Sequence, residues 1–392
     1  MGGGEKSICF VATTAKHLAL FMLPQANYFA AHGWRVAVAT TYDPALAAKL
    51  APGIEYHTVP MKRGAALFSI PLHIMRLRRI FKRGNFTFVQ YFMPNAALYA
   101  SVAAKLAGVP FRYYQLGGLR YSSSTGLKRR LLIMLDRISG GCSTHIWCVS
   151  RGNLETAAAD GVFPASKAMT IGGGGSKGVN LELFDPAMKD RWRREKRAEL
   201  GFSDDDFVIG FAGSLRRDKG TAELIDAFRA VHEARPNTKL LLVGDREFFS
   251  TVPPDRRRFA LESPDVRIIP AADGAARGLD FEDVPKYEAC FDVLGFPSYR
   301  EGLPNVVLEC QALNIPVVAA DVPGMADAFL PGENGIAVPV RDAAALAAAL
   351  VELCDSPAKC AEMGKKGREF VEKNFNQAIL MGKLLAEKEA RL

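Results

Sequence analysis

No apolar run in this sequence reaches the roughly 18–20 residues that a membrane-crossing helix needs, which excludes a helical membrane span. The opening MGGGEKSICFVATTAKH lacks the long apolar stretch of a cleavable signal and runs straight into a strand-like segment. The expectation is therefore a cytosolic chain, with MGGG as a flexible end. Cysteine is sparse: Cys9, Cys142, Cys148, Cys290, Cys310, Cys354 and Cys360 form no CxxC pair and no Cys/His spacing that suits a metal. An odd, scattered set in apolar surroundings reads as reduced core thiols, not as a disulfide framework or a structural zinc site. There is no internal repeat and no low-complexity tract. Hydrophobic residues at 49% and charged residues at 23% argue against disorder. Acids are scarce in one part of the chain only. Residues 1–180 hold 6 Asp and Glu against 21 Lys and Arg, whereas the remainder holds 36 against 29, within a formal total of +8. A basic half joined to an acidic half suggests that the basic one meets a polyanion or an anionic membrane surface.

With 392 residues the chain exceeds what one compact core serves, so two domains are expected. Short apolar runs alternate with helix-period stretches nearly throughout. In the first half, strands are expected at 7–12, 35–39, 86–90, 111–115 and 145–149, with helices near 18–31, 71–83, 96–107 and 126–139. In the second half, strands are expected at 207–213, 239–243, 266–269, 292–296 and 316–319, with helices near 220–234, 283–290, 305–313 and 342–354. Strands apolar on both faces and separated by helices imply parallel sheets with right-handed crossovers. Two such series make an α/β protein of two doubly wound, Rossmann-like domains. The boundaries fall at 1–178 and 179–375, with 376–392 as a terminal helix placed to pack back on the first domain. The junction is marked by GGGGSKG (172–178) and the charged KDRWRREKRAEL (189–200). The Gly run suits a hinge or a close ligand approach, and equally a plain linker.

Two segments carry the chemistry. In FPSYREGLPNVVLECQALN (296–314), Glu301 lies in a loop just after a strand, Gly302 permits a tight backbone, and Pro304 suits a first helical turn. The helix that follows opens with unpaired N–H groups and the positive end of its dipole, ready for a diphosphate. Glu309, one turn further, can accept hydrogen bonds from vicinal hydroxyls such as those of a ribose. In FAGSLRRDKG (211–220), Arg216, Arg217 and Lys219 stand at another strand end that opens a helix, suited to neutralising phosphates. Ligands of open parallel sheets bind outside the carboxyl ends of the strands, where both loops lie.

Other features are set aside or serve location. SDDDF (203–207) has an Asp-x-Asp pattern, but acidic residues before a strand need no metal. His17 follows the first strand's loop, where it can meet substrate, although a lone histidine is more often incidental. Tyr91, Tyr113, Tyr114 and Tyr121 lie among basic residues without any nucleic-acid motif. PLHIMRLRRIFKR (71–83) places Ile74, Leu77, Ile80 and Phe81 on one arc, with Arg76, Arg78, Arg79, Lys82 and Arg83 mostly opposite; GLKRRLLIMLDR (126–137) is a second basic and apolar stretch. Such helices either lie on an anionic leaflet or pack an ordinary apolar arc on the sheet.

Taken together, GSLRRDKG (213–220), LLLVGD (240–245), DVPKYEACFDVLGFPSYREGLPNVVLECQALNIPVVAADVPG (283–324) and ENGIAVP (333–339) resemble the retaining nucleotide-sugar glycosyltransferases of family 4. ATTAKH (12–17), LAGVP (106–110) and GSKGVNLELF (175–184) match more loosely. The nearest subgroup is that of bacterial enzymes building capsule, exopolysaccharide or lipid-linked oligosaccharides. The resemblance implies the GT-B fold, with the active site in the cleft between the two domains. It implies that Glu309 binds the donor ribose, and that Glu301 with the backbone of Gly302, Leu303, Pro304, Asn305 and Val306 holds the sugar and diphosphate. Lys219 would offset the leaving-group charge, and the nucleobase would lie near Ile269 and Pro270. Thr13, Thr14 and His17, with Gly117 and the Gly-rich stretch, would face the acceptor side. Two positions depart from the family: Ser214 stands where an Arg is usual, leaving Arg216 or Arg217 to compensate, and Gly117 stands where many members carry His.

The implied activity is transfer of a hexose or N-acetylhexosamine from a UDP-sugar, with retention, to a lipid-linked (polyprenyl-diphosphate) saccharide. No tightly bound cofactor, no metal and no nucleic acid are expected. The expected place is the cytoplasm, at the inner face of the cytoplasmic membrane. A nucleotide-sugar epimerase of the same fold and a catalytically silent nucleotide-sugar-binding relative are the alternatives.

Overall fold

The computed structural model describes residues 5–61, 69–244, 251–270 and 281–392. Asp245 of the LLLVGD run, the MGGG end and residues 271–280 lie outside them. The chain divides into two units: residues 1–178 with 377–392, and residues 179–376.

The first unit is built on a parallel sheet of β1 (Ser7–Ala12), β2 (Arg35–Thr40), β3 (Glu55–Thr58), β4 (Phe88–Phe92), β5 (Phe111–Leu116), β6 (His145–Cys148) and β7 (Ala168–Met169). Their spatial order is β3-β2-β1-β4-β5-β6-β7. Every side chain of β1 is buried, because successive residues feed different faces. Cys9 and Val11 join a core with Leu77, Phe81, Ala100 and Ile133, beneath helices Ile70–Gly84, Pro94–Ala107 and Gly126–Cys142. Ile8 and Phe10 join the opposite core with Leu18, Phe29, Leu380 and Leu384, beneath helices Ala15–Phe21, Leu23–Ala31 and Gln377–Glu389. Apolar burial on both sides is what a parallel sheet demands. The terminal helix is also tied by polar contacts: Tyr113 donates to Glu387 at 3.0 Å, and Lys6 pairs with Glu389 at 2.7 Å.

The second unit carries β8 (Phe207–Gly213), β9 (Thr238–Gly244), β10 (Val266–Pro270), β11 (Val293–Phe296), β12 (Val317–Ala320) and β13 (Gly335–Val338), ordered β10-β9-β8-β11-β12-β13 and all parallel. In each sheet the order reverses once, between β1 and β4 and between β8 and β11. Those reversals open crevices at the carboxyl ends of the strands.

Several elements go beyond the sequence reading. β3, β7 and β13 are two- to four-residue strands at or near sheet edges, too short for periodicity to mark. The expected helix near 18–31 is two helices, broken around Met22. The charged 189–200 stretch lies inside helix Pro186–Leu200, capped by Asp185, whose carboxylate accepts the Ala187 N–H. This helix is held by ionic contacts in place of an apolar stripe: Arg197 is fully buried and reaches Asp292 at 2.6 Å, and Arg193 reaches it at 2.7 Å. The Gly-rich 172–178 segment packs closely against the end of β6. Gly174 has φ +101° and a Cβ there would stand 2.4 Å from the Val149 carbonyl oxygen, while the Gly175 N–H donates to that oxygen at 2.6 Å.

Candidate active site

In the second unit, the two segments singled out in the sequence leave neighbouring strands at the β8/β11 reversal. The loop after β8 carries Ser214, Arg216, Arg217 and Lys219, and the loop after β11 carries Tyr299, Arg300 and Glu301. Backbone contacts stitch the loops together. The Tyr299 N–H donates to the Asp218 carbonyl at 2.9 Å, and the Ser298 hydroxyl donates to the same oxygen at 3.3 Å. Gly220 permits this approach: its φ is +70°, and a Cβ would stand 2.1 Å from the Pro297 carbonyl oxygen.

The side chains converge on this seam. Lys219 donates to Glu301 at 2.5 Å, and its ammonium lies 5.8 Å from the centre of the Phe296 ring. Asp218 accepts from Arg300 at 3.1 Å and lies 3.6 Å from Arg216. Burial alone would raise the Asp218 carboxyl, but Arg216, Arg300 and Lys219 outweigh it and hold it below the usual aspartate range. The cluster thus brings three cations and two carboxylates together, leaving one positive charge in excess at a strand-end crevice.

Helix Asn305–Ala312 begins directly after this loop, with Pro304 at the N-cap and no side-chain cap. Leu303 and Val306 are buried and seat the helix start, and Glu309 is fully buried one turn in. Gly324, in the turn after β12, packs under the loop: a Cβ there would stand 2.1 Å from the Glu301 carbonyl oxygen and 2.6 Å from that of Gly302. Ile269 and Pro270 close β10, two strands away from β8. Of the positions expected to act together, Ser214, Arg216, Lys219, Glu301 and the 302–306 turn share this seam. Arg216 is aimed at Asp218 and Arg217 is exposed.

Asp218 and Arg300 were not singled out in the sequence. Their signal is that each directly precedes a singled-out residue, Lys219 and Glu301, in a loop whose partner loop has the opposite charge at the matching place. The acidic SDDDF run lies at the amino end of the central strand β8, the end opposite this seam, and there Asp206 accepts the Ser203 N–H at 2.7 Å. Among the described residues no group of three or more His, Cys, Asp or Glu is arranged to hold a metal ion.

In the first unit, the acceptor-side candidates gather at the β1/β4 reversal. Thr13 is buried and its hydroxyl accepts the Ala96 N–H at 3.2 Å, at the start of helix Pro94–Ala107. Thr14 and His17 are joined, Oγ1 to Nδ1, at 2.6 Å. His17 stacks on Phe21, and Phe21 packs on Phe92 at 4.9 Å between ring centres. Gly117 follows β5, and a Cβ there would stand 2.3 Å from the Phe92 ring. The absence of a side chain at Gly117 is therefore matched by an aromatic ring that fills the space. Met93, between β4 and the helix, adopts φ +78°, a strained conformation for a residue with a side chain.

The model of the glycosyl transferase 4-like domain matches residues 19–174, and that of the glycosyl transferases group 1 matches residues 206–356. The capsular polysaccharide biosynthesis glycosyltransferase CapM of Staphylococcus aureus is 30% identical over 328 residues, covering 84% of this chain and 83% of its own length. The chain belongs to the glycosyltransferases. The UDP-Gal:alpha-D-GlcNAc-diphosphoundecaprenol alpha-1,3-galactosyltransferase of Escherichia coli is 22% identical over 317 residues, covering 80% of this glycosyltransferase and 78% of its own length. Among solved structures, Anabaena HepE in complex with UDP and glucose superimposes with a TM-score of 0.78 at 19% identity, covering 99% and 100% of the two chains. The two parallel-sheet units of this glycosyltransferase are thus those of the GT-B fold, which the sequence resemblance implied. No helix among the described residues is long and apolar enough to cross a membrane.

Proposed function

We propose that this glycosyltransferase is a retaining family 4 enzyme, and that it moves a hexose or N-acetylhexosamine from a UDP-sugar to a polyprenyl-diphosphate saccharide during surface polysaccharide assembly. The observation that carries the donor half is the Lys219–Glu301 pair, 2.5 Å apart, beside the uncapped start of helix Asn305–Ala312. A nucleoside diphosphate laid on that helix start meets backbone N–H groups, the helix dipole and a net positive cluster. Two similar proteins support the chemistry: HepE is seen with UDP and glucose, and the Escherichia coli enzyme is named for a UDP-galactose donor and a diphosphoundecaprenol acceptor. CapM supports the place in capsule-type assembly.

The roles follow from charge. As the anomeric bond loosens toward an oxocarbenium ion, negative charge collects on the UDP phosphates, and Lys219 with the helix start stabilises it in place of a metal. Glu301 orients the Lys219 ammonium and, with the backbone of Gly302, Leu303, Pro304, Asn305 and Val306, holds the sugar and diphosphate. Glu309 takes the ribose hydroxyls, and the base lies toward Ile269 and Pro270. Arg216 or Arg217 supplies the positive charge of the Arg absent at Ser214. The acceptor hydroxyl attacks from the leaving-group face and its proton passes to the departing phosphate, so retention requires no enzyme nucleophile. Thr13, Thr14, His17 and Gly117 line the acceptor side.

The test is mass spectrometry of products formed from a panel of UDP-sugars with short-chain polyprenyl-diphosphate saccharides, followed by NMR of the new linkage. A product of retained anomeric configuration is expected. A new epimer from donor alone would make the chain an epimerase. Donor binding without transfer or slow hydrolysis across the panel would make it a silent relative.

A further inference from the structure

Helix Gly126–Cys142 buries one side and leaves the opposite side apolar. Ile133, Asp136, Ser139 and Gly140 face inward. Leu127 is 82% exposed, Leu131 52%, Met134 49% and Ile138 40%. Their spacing of four, three and four residues places all four within an arc of about 60° at 3.6 residues per turn. Lys128 lies on one flank of that stripe, Arg130 and Arg137 on the other, each about 70–90° away. All three are exposed, and the helix's sole acid, Asp136, points into the protein.

The neighbouring surface continues the pattern. Helices Ile70–Gly84 and Gly126–Cys142 both pack against helix Pro94–Ala107 on the same face of the sheet. The apolar arc of the first of these, which the sequence left open between a leaflet and the sheet, is core: Leu77 and Phe81 are buried, and Ile74 and Ile80 pack against them. Its outer side shows Leu72, 48% exposed, and Met75, 52% exposed, beside the exposed Arg76 and Arg79.

We propose that this face, led by Leu127, Leu131, Met134 and Ile138, enters the headgroup region of an anionic bilayer. The chemistry favours lipid over protein. An apolar stripe a few ångströms deep with cations on both flanks matches a leaflet whose acyl boundary lies beneath a layer of negative charge. A second copy of this chain fits poorly, because a two-fold contact through the stripe would set Lys128, Arg130 and Arg137 against their own kind. The placement also serves the acceptor. The helix follows β5 through Gly117 and a short 3-10 turn, Arg120–Ser123, so the inserting end is joined to the acceptor-side loop by a few residues. In this respect the inference deepens the lipid-linked acceptor reading and rests on it only for its purpose; the contact itself needs neither donor nor acceptor.

Flotation of the full chain with phosphatidylglycerol–phosphatidylcholine vesicles, and with pure phosphatidylcholine vesicles, tests the face. Partition onto the anionic vesicles is expected, weakening as salt is raised. The Leu127→Ser/Leu131→Ser/Met134→Ser chain should partition about tenfold less or weaker still, with unchanged far-UV circular dichroism and unchanged UDP affinity. A Leu131→Trp chain keeps an apolar side chain, and its emission should shift to the blue on adding anionic vesicles. Equal partition of the triple-Ser chain, or no emission shift from the Trp chain, overturns the proposal. So does a dimer in sedimentation velocity that the triple-Ser substitution dissolves without lipid. None of these results touches the transferase reading, which short-chain acceptors test in solution.

Discussion

Lys219 and Glu301 lie 82 residues apart in sequence, yet their charged ends meet at 2.5 Å across the seam where the sheet of the second unit reverses its strand order. Both side chains are mostly buried, at 20% and 10% exposure. In the proposed donor site the pair would hold the ammonium beside the start of helix Asn305–Ala312 and keep the carboxylate from standing alone next to the diphosphate. Lys219→Ala should therefore lower turnover by about 100- to 1000-fold, the usual effect of removing one group that stabilises transition-state charge. Lys219→Arg should retain part of it. Steady-state rates with a short-chain acceptor decide the matter, and near-normal turnover of the Ala chain would remove Lys219 from the mechanism.

Gly324 acts on the same loop from below. A methyl group there has no room, because the carbonyl oxygens of Glu301 and Gly302 stand 2.1 and 2.6 Å from the Cβ position. Both obstacles are backbone, so relief requires the loop itself to move. Gly324→Ala should push Glu301 off Lys219 and lower kcat/KM on the order of 100-fold, since displacing a reacting group by about 1 Å has effects of that size. The unit should remain folded, with a stability loss of about 1–3 kcal/mol from overpacking. Calorimetry and kinetics on the same sample separate the two; unchanged kcat/KM would show that the loop tolerates the shift.

Much of this seam was legible in the sequence because its parts are local. Phe296 to Ala312 is a continuous strand, loop and helix, and Pro304 and Gly302 mark the turn by their own backbone limits. The doubly wound sheets were equally legible, since β1, β8 and β9 are apolar on both faces. What escaped depends on direction, not on residue type. Whether Arg216 turns toward ligand or toward Asp218 is set by the path of a loop stitched to Tyr299 from another strand. Helix Pro186–Leu200 escaped because its anchor is ionic, Arg193 and Arg197 on Asp292, and leaves no apolar period to read. The stripe from Leu127 to Ile138 was visible as apolar residues, but an apolar residue in a helix is ordinarily core, and its exposure emerges only once Ile133 and Asp136 are seen facing inward.

Asp136 supplies a prediction about pH. Its carboxyl is buried under helix Gly126–Cys142 and accepts a hydrogen bond from the Tyr114 hydroxyl at 3.2 Å. Burial raises it to about 6, and the opposing pull of Tyr114 and Arg120 does not restore the usual range. A carboxyl raised in the folded chain binds its proton more tightly there than in the unfolded chain. It therefore supports the fold fully below the unfolded value near 4, and that support is lost as pH rises through about 6. At pH 7.5 the ionised group is a burden of at most about 3 kcal/mol on the first unit. Asp136→Asn keeps an oxygen for Tyr114 and removes the charge. Its melting temperature should exceed that of the unaltered chain at pH 7.5, with the difference shrinking through pH 6 and vanishing near pH 4. A difference that stays constant across this range would mean that the gain comes from packing and not from the proton.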